Sequence, residues 1–247
     1  VYSTFLGGGN LNFADAFGLQ SSLAQSIALD SSNNVVVTGH TTATNFPVTP
    51  GAVQSQYSGF RDAFVTKLNT NGTGVVFSTY LGGTGRDGEP ANVAVDVSNN
   101  IYVATNTQSN NFPTTATSFL PFVRDFSVST AITKLTPAGS MVYSSFTGFS
   151  TATVPYVSNV AVDTGGNPYV AGNGVTGVFP VNPVALPITP TQNDFVAKFN
   201  GTGTGMFFAT YLNGTAGNGT AIYDIAVDGN GHAFLTGATA EANFPVI

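Results

Sequence analysis

A chain of 247 residues with 42% hydrophobic content and 20 phenylalanines can bury a sizeable core. Its charged fraction of 7%, against roughly a quarter in ordinary soluble domains, leaves the surface to Ser, Thr, Asn and Gly. Six basic residues against twelve acidic ones, net −6, provide no cationic stripe for nucleic acid or anionic lipid. The absence of cysteine removes disulfides, thiolate nucleophiles and thiolate metal sites together.

The chain opens on VYSTFLGG at Val1, a strand-like segment with neither a basic n-region nor an apolar h-region. It reads as mature or as a fragment of a longer protein, and with no apolar run of roughly 18 residues it is not expected to insert into a membrane. After a long first linker, Gly7 to Ser26, comes I-A-L-D at Ile27 to Asp30. Its copies are V-A-V-D at Val93 and Val160 and I-A-V-D at Ile225, spaced by 66, 67 and 65 residues. Each is followed by a polar turn and a second apolar run: VVVTG from Val35, IYVAT from Ile101, PYVAG from Pro168 and AFLTG from Ala233. N-F-P then recurs at Asn45, Asn111 and Asn243, with Val178-Phe179-Pro180 in the third copy.

A third element, D-A-F-V-T-K-L at Asp62 to Leu68, returns as TAITKL ending at Leu135 and DFVAKF ending at Phe199. A fourth, like the opening segment, follows as VFSTYLGG from Val76, VYSSFTG from Val142 and FFATYLNG from Phe207. Every element alternates with period two between Gly, Asn, Asp or Pro boundaries, and none shows a sustained helical pattern. The prediction is all-β: four-stranded antiparallel blades of about 65 residues, packed radially as in a propeller. The repeats divide the chain at approximately 1–74, 75–140, 141–204 and a partial 205–247, three complete and one incomplete. The small middle residue of each first strand suits a crowded place beside the axis.

These four linked motifs, Y-S-T-F-L-G-G, I-A-L-D-S-S-N-N-V-V-V-T-G, N-F-P-V-T-P-G-A and D-A-F-V-T-K-L-N, resemble the bacterial SBBP repeat family, named for seven-bladed β-propellers. The resemblance covers essentially the whole chain. It implies extracellular or cell-envelope bacterial proteins, often large and modular, with no shared activity or catalytic residues to carry over. A complete seven-bladed ring is not present in this sequence. Its last repeat stops after two strands, so even Val1 to Leu6 brought round would leave that blade one strand short, an edge that templates another strand.

Candidate chemistry is sparse. His40 follows the glycine ending a second strand, and His232 takes the turn position of Asn34, Asn100 and Asn167; neither has a neighbour at metal-ligand spacing. The carboxylates outside the repeat pattern are Asp15, Asp87, Glu89, Asp125 and Glu241, with Asp87 and Glu89 beside Arg86 reading as a solvated loop. The repeated Asp30, Asp96, Asp163 and Asp228 are weak calcium candidates, one carboxylate per loop, and better turn-formers that accept backbone N–H bonds. Lys67, Lys134 and Lys198 read as structural, each stem covering apolar surface and pairing with an aspartate. Tyr2, Tyr80, Tyr143 and Tyr211, with Phe5, Phe77, Phe146 and Phe208, read as packing between blades. Asn71, Asn200, Asn213 and Asn218 each begin Asn-Gly-Thr, a glycosylation sequon that is also turn chemistry.

The expectation is a non-catalytic extracellular or cell-surface scaffold, structural or adhesive, self-associating or joined to other segments of a longer chain, and able to form fibres. No catalytic, cofactor-binding or metal site is expected, and no nucleic-acid partner. A glycan-binding propeller module is the alternative, and a polysaccharide-active enzyme the third reading.

Overall fold

The computed structural model describes residues 3–4, 6–8, 22–123, 128–150, 156–173, 194–212 and 219–244. Fourteen strands of these residues form four antiparallel sheets. The first joins β1 (Ser22–Leu29), β2 (Val35–Thr41), β3 (Asp62–Leu68) and β4 (Val75–Leu81) in that order. The second joins β5 (Asp87–Val95), β6 (Ile101–Thr107), β7 (Val128–Leu135) and β8 (Met141–Ser150). The third joins β9 (Tyr156–Val162), β10 (Pro168–Asn173), β11 (Asp194–Phe199) and β12 (Met206–Leu212), and the fourth pairs β13 (Thr220–Val227) with β14 (Ala233–Thr239).

Each sheet is one blade, wound in sequence order, so every hairpin is local. The period-two alternation decides what the blades do next. Side chains at alternate positions leave opposite faces of a strand, and in these strands both faces are apolar. Consecutive blades therefore stack face to face around shared cores. The first core takes Val36, Val65, Phe77 and Leu81 from one blade and Val93, Ile101, Val103 and Phe146 from the next. A second joins Tyr102, Ile132 and Tyr143 to Val160, Val170, Phe195 and Phe199, and a third joins Tyr169 and Val196 to Ile222 and Ile225.

The first strands β1, β5, β9 and β13 lie each in contact with the next, which places them innermost. In the first three blades the middle alanine of the first strand faces the following blade: Ala28 packs on the first core, Ala94 on the second, Ala161 on the third. Ala94→Leu should overpack that seam and lower stability by about 1–3 kcal/mol in denaturant unfolding. A change below about 0.5 kcal/mol, typical of surface positions, would contradict the inner placement.

Asp87 and Glu89 are not in a solvated loop; β5 begins six residues before the repeated V-A-V-D motif, and Asp87, its first residue, is completely buried. Glu89 remains half exposed and pairs with Arg61. Asp15, Asp125, Tyr2, Phe5, Asn213, Asn218 and the Val178–Pro180 motif lie outside the described residues.

Of the opening segment, Ser3, Thr4 and Leu6 to Gly8 are described, and none is part of a strand. They nevertheless occupy a repeated position. Leu6 packs against the Phe46, Phe64 and Tyr80 cluster, and a β-carbon on Gly8 would meet Asn45 Oδ1 at 2.7 Å. In the next blade a β-carbon on Gly83 would meet Asn111 Oδ1 at 2.5 Å. The Leu-Gly-Gly of one repeat thus docks on the Asn-Phe-Pro loop of the next.

Candidate functional site

The most regular constellation of polar side chains is a row of aspartate turns, one per blade. In each, Asp Oδ1 accepts the backbone N–H of the residues two and four further on: Ser32 and Asn34 for Asp30, both at 2.8 Å, Ser98 and Asn100 for Asp96, Gly165 and Asn167 for Asp163, and Asn230 and His232 for Asp228. Oδ2 receives the side chain of the fourth residue, Asn34 and Asn100 at 2.8 Å, Asn167 at 3.1 Å. His232 substitutes for that asparagine, its Nδ1 lying 2.9 Å from Asp228 Oδ2. The residue before it adopts positive φ, 61° at Asn33, 64° at Asn99, 74° at Gly166 and 83° at Gly231. That is why only Asn or Gly stands there.

The third-strand lysine closes the constellation. Lys67 Nζ lies 2.8 Å from Asp30 Oδ2 and donates to Pro137 O of the second blade at 3.1 Å. Lys198 lies 3.0 Å from Asp163 Oδ2. In the second blade the aspartate's partner is instead Tyr102, whose hydroxyl lies 3.0 Å from Asp96 Oδ2 and 2.9 Å from Gly166 O of the third blade. Lys134 sits 4.9 Å above that ring and donates to Gly201 O at 3.3 Å. Tyr169 repeats the device, its hydroxyl donating to Gly231 O at 2.8 Å under Lys198. Each aspartate, lysine and tyrosine set therefore ties one blade to a turn of its successor.

Burial resists ionisation of Asp30, but Lys67 and the donors of Asn34 and Ser32 prevail and hold its carboxyl down at about 2. Asp163 is lowered by the same balance, burial against Asn167 and Lys198. With its oxygens taken by N–H donors and an ammonium, Asp30 has little left to offer a calcium ion. Among the described residues no group of three or more His, Asp or Glu could hold a metal ion.

Other predicted residues fall in structural positions. His40 is buried in β2, where desolvation and then Arg61 hold its pKa down. The Tyr80 hydroxyl accepts from Phe46 N at 2.9 Å and donates to Ala43 O at 2.8 Å, so this aromatic clamps the Asn-Phe-Pro loop. Phe77, Phe146 and Tyr143 fill the cores between blades, and Phe208 and Tyr211 pack there too. Asn71 and Asn200 both sit in hairpin turns: Asn71 Oδ1 accepts from Thr73 Oγ1 at 2.7 Å, and Asn200 Oδ1 from Thr204 N at 2.9 Å.

The beta-propeller repeat model named SBBP matches residues 76–113. This stretch is similar to an SBBP repeat. It covers the outer strand of the first blade and the two inner strands of the second, and ends on Asn111-Phe112-Pro113. The matched stretch therefore straddles two blades, and the aspartate turn at Asp96 lies inside it. No curated protein matches the chain.

Tyr102, Tyr169 and the buried carboxyls Asp62 and Asp194 carry no expectation from the sequence, whereas Asp87 is expected in a solvated loop and is buried. The signal for Tyr102 and Tyr169 was there, a tyrosine at the second position of two second strands. Asp62 and Asp194 recur at the head of the third strand, and Asp87 has no repeated counterpart.

Proposed function

We propose that this protein is a non-catalytic extracellular or cell-surface scaffold, structural or adhesive, whose blades join further blades of the same kind. One observation carries the reading: β14 has no strand on its outer side among the described residues, and beside it lies an apolar cavity of about 230 Å³ bounded by Leu212, Leu235, Gly237 and Phe244. The corresponding space in the second blade is filled from the third and fourth strands by Ala131 and Phe146 against Phe112. By that comparison the cavity lies where the third and fourth strands of a blade pack. An unpaired row of N–H and C=O groups beside it favours strand addition.

Exposed apolar side chains on the first and fourth sheets, among the described residues, support the same reading. Ile27 is 68% exposed where its counterpart Val93 is buried, and Phe234 is 59% exposed where Tyr102 and Tyr169 are buried. Ile27 thus stands on a face that a preceding blade covers at Val93, and Phe234 on a face that a following blade covers at Tyr102 and Tyr169. A net charge of −6 opposes such stacking only weakly.

Sedimentation velocity over a wide range of concentration, followed by electron microscopy, tests this. The expected result is association by the ends into linear or sheet-like particles, because a head-to-tail contact that does not close propagates. A single monomeric species at every concentration would overturn it. Saturable binding on a glycan array by that monomer would favour the glycan-binding module instead.

A further inference from the structure

The seam between the first two blades buries two carboxyl groups around one glycine. Asp62, at the head of β3, and Asp87, at the head of β5, are both fully buried. Asp62 Oδ2 accepts from Ser58 N at 2.8 Å and Gln54 Nε2 at 3.0 Å. Asp87 Oδ2 accepts from Gly83 N and Ser109 Oγ, both at 2.7 Å. Oδ1 of each has no hydrogen-bond partner. A β-carbon on Gly82 would lie 2.4 Å from Asp62 Oδ1 and 2.9 Å from Asp87 Oδ2, so the two groups close on the same point.

The charged and titratable groups around them do not neutralise the pair. On the neighbouring segments Arg61 is engaged by Glu89, Arg86 is exposed, and His40 on β2 is buried with its pKa held down. From the loop before β3 and from β4 come the phenols of Tyr57 and Tyr80, both pushed upward, first by their own burial, and so neutral. Lys67 belongs to Asp30. Two ionised carboxylates in a dry seam lose hydration and repel each other, whereas one proton removes the repulsion and the desolvation cost of the group that takes it.

We infer that Asp62 and Asp87 form a proton-holding joint between the first and second blades, closed in mild acid and loosened when the proton is lost in alkali. Burial and then the Asp87 charge push the Asp62 carboxyl up to about 8. Burial raises Asp87 too, partly offset by hydrogen bonds, among them those from Gly83 and Ser109. The Asp87 charge acts on Asp62, so the state of one carboxyl bears on the other. Because the folded-state pKa is raised, the stabilisation is fully present below the unfolded-state value near 4 and is lost as pH rises toward about 8. Asp194, raised to about 7 by burial in the third blade, adds to the same trend. A variant at the joint is needed to separate the two.

The test is the melting temperature of the full chain from mild acid to mild alkali, for wild type, Asp87→Asn and Asp62→Asn, each with and without a chelator. Wild type should lose roughly 5 °C or more over that range. The asparagine variants, which keep the shape and remove one charge, should lose less than half as much. A wild-type curve that is flat, or a slope unchanged in both variants, would overturn the joint. So would a loss of melting temperature on chelation that appears only in wild type, because a bound cation would then be holding the pair. Carboxyl carbon chemical shifts of the native protein give a readout that does not depend on the variants folding. At least one aspartate assigned to this pair should titrate above pH 6, and both ionising in the ordinary carboxylate range would refute the inference.

Discussion

Replacing Lys67 by methionine will lower folding stability by about 3–5 kcal/mol, read as a shift in the denaturant midpoint. The Lys67 and Asp30 side chains are only 4% and 2% exposed. Methionine keeps the apolar stem and removes the ammonium, which leaves Asp30 as a buried charge without its counter-ion and Pro137 O without its donor. The double variant Asp30→Asn with Lys67→Met should recover much of the loss, because the cost lies in the orphaned partner more than in the pair. Lys198→Met should cost less, its side chain being 19% exposed. The pair also has a pH signature opposite to that of the joint. The Asp30 carboxyl is held below its unfolded-state value, so its stabilisation is present above pH 4 and lost as pH falls toward about 2. Lys67→Met should flatten that acid limb, and a variant as stable as wild type with an unchanged limb would show the Asp30 and Lys67 pair to be idle.

Gly172→Ala and Gly39→Ala should each cost about 3 kcal/mol, the upper end of overpacking penalties, because the clash is with backbone. A β-carbon on Gly39 would lie 1.9 Å from Leu23 O, and one on Gly172 would lie 2.1 Å from Tyr156 O. Neither carbonyl can swing away, since each belongs to a paired first strand at a register shift, between Ala24 and Ser26 in β1 and between Val157 and Asn159 in β9. Gly237 stands in the same relation to Ala221 O, at 2.1 Å. The second blade supplies the natural comparison: Thr105 occupies this position where the β5 register breaks between Asp87 and Ala91 instead, and its hydroxyl donates to Pro90 O at 2.7 Å. Gly229→Ala is the control, with nothing within 4 Å of its β-carbon. Thermal unfolding of the three variants decides the matter, and equal stabilities would mean that the close approach is not real.

Strand order, blade count and the aspartate turns could be read from residues alone. The alternation in VVVTG or DAFVTKL states which side chains share a face, and Asp30 with Asn33 and Asn34 carries its whole turn within five positions. Such features are local, with hydrogen bonds closing two to four residues away. The partner of Lys67 stands 37 positions earlier, and the carbonyl it reaches belongs to the next blade. The sequence could suggest an aspartate for the lysine but not that both would be sealed from water. Asp87 is the sharpest case. Beside Arg86 and Glu89 it has the composition of a solvated loop, yet β5 starts on it and the first blade closes over it. Whether a carboxyl is hydrated or desolvated depends on the atoms another sheet brings to it, and those are chosen by how blades stack. Period and turn chemistry therefore belong to the sequence, and the burial of charge to the tertiary structure.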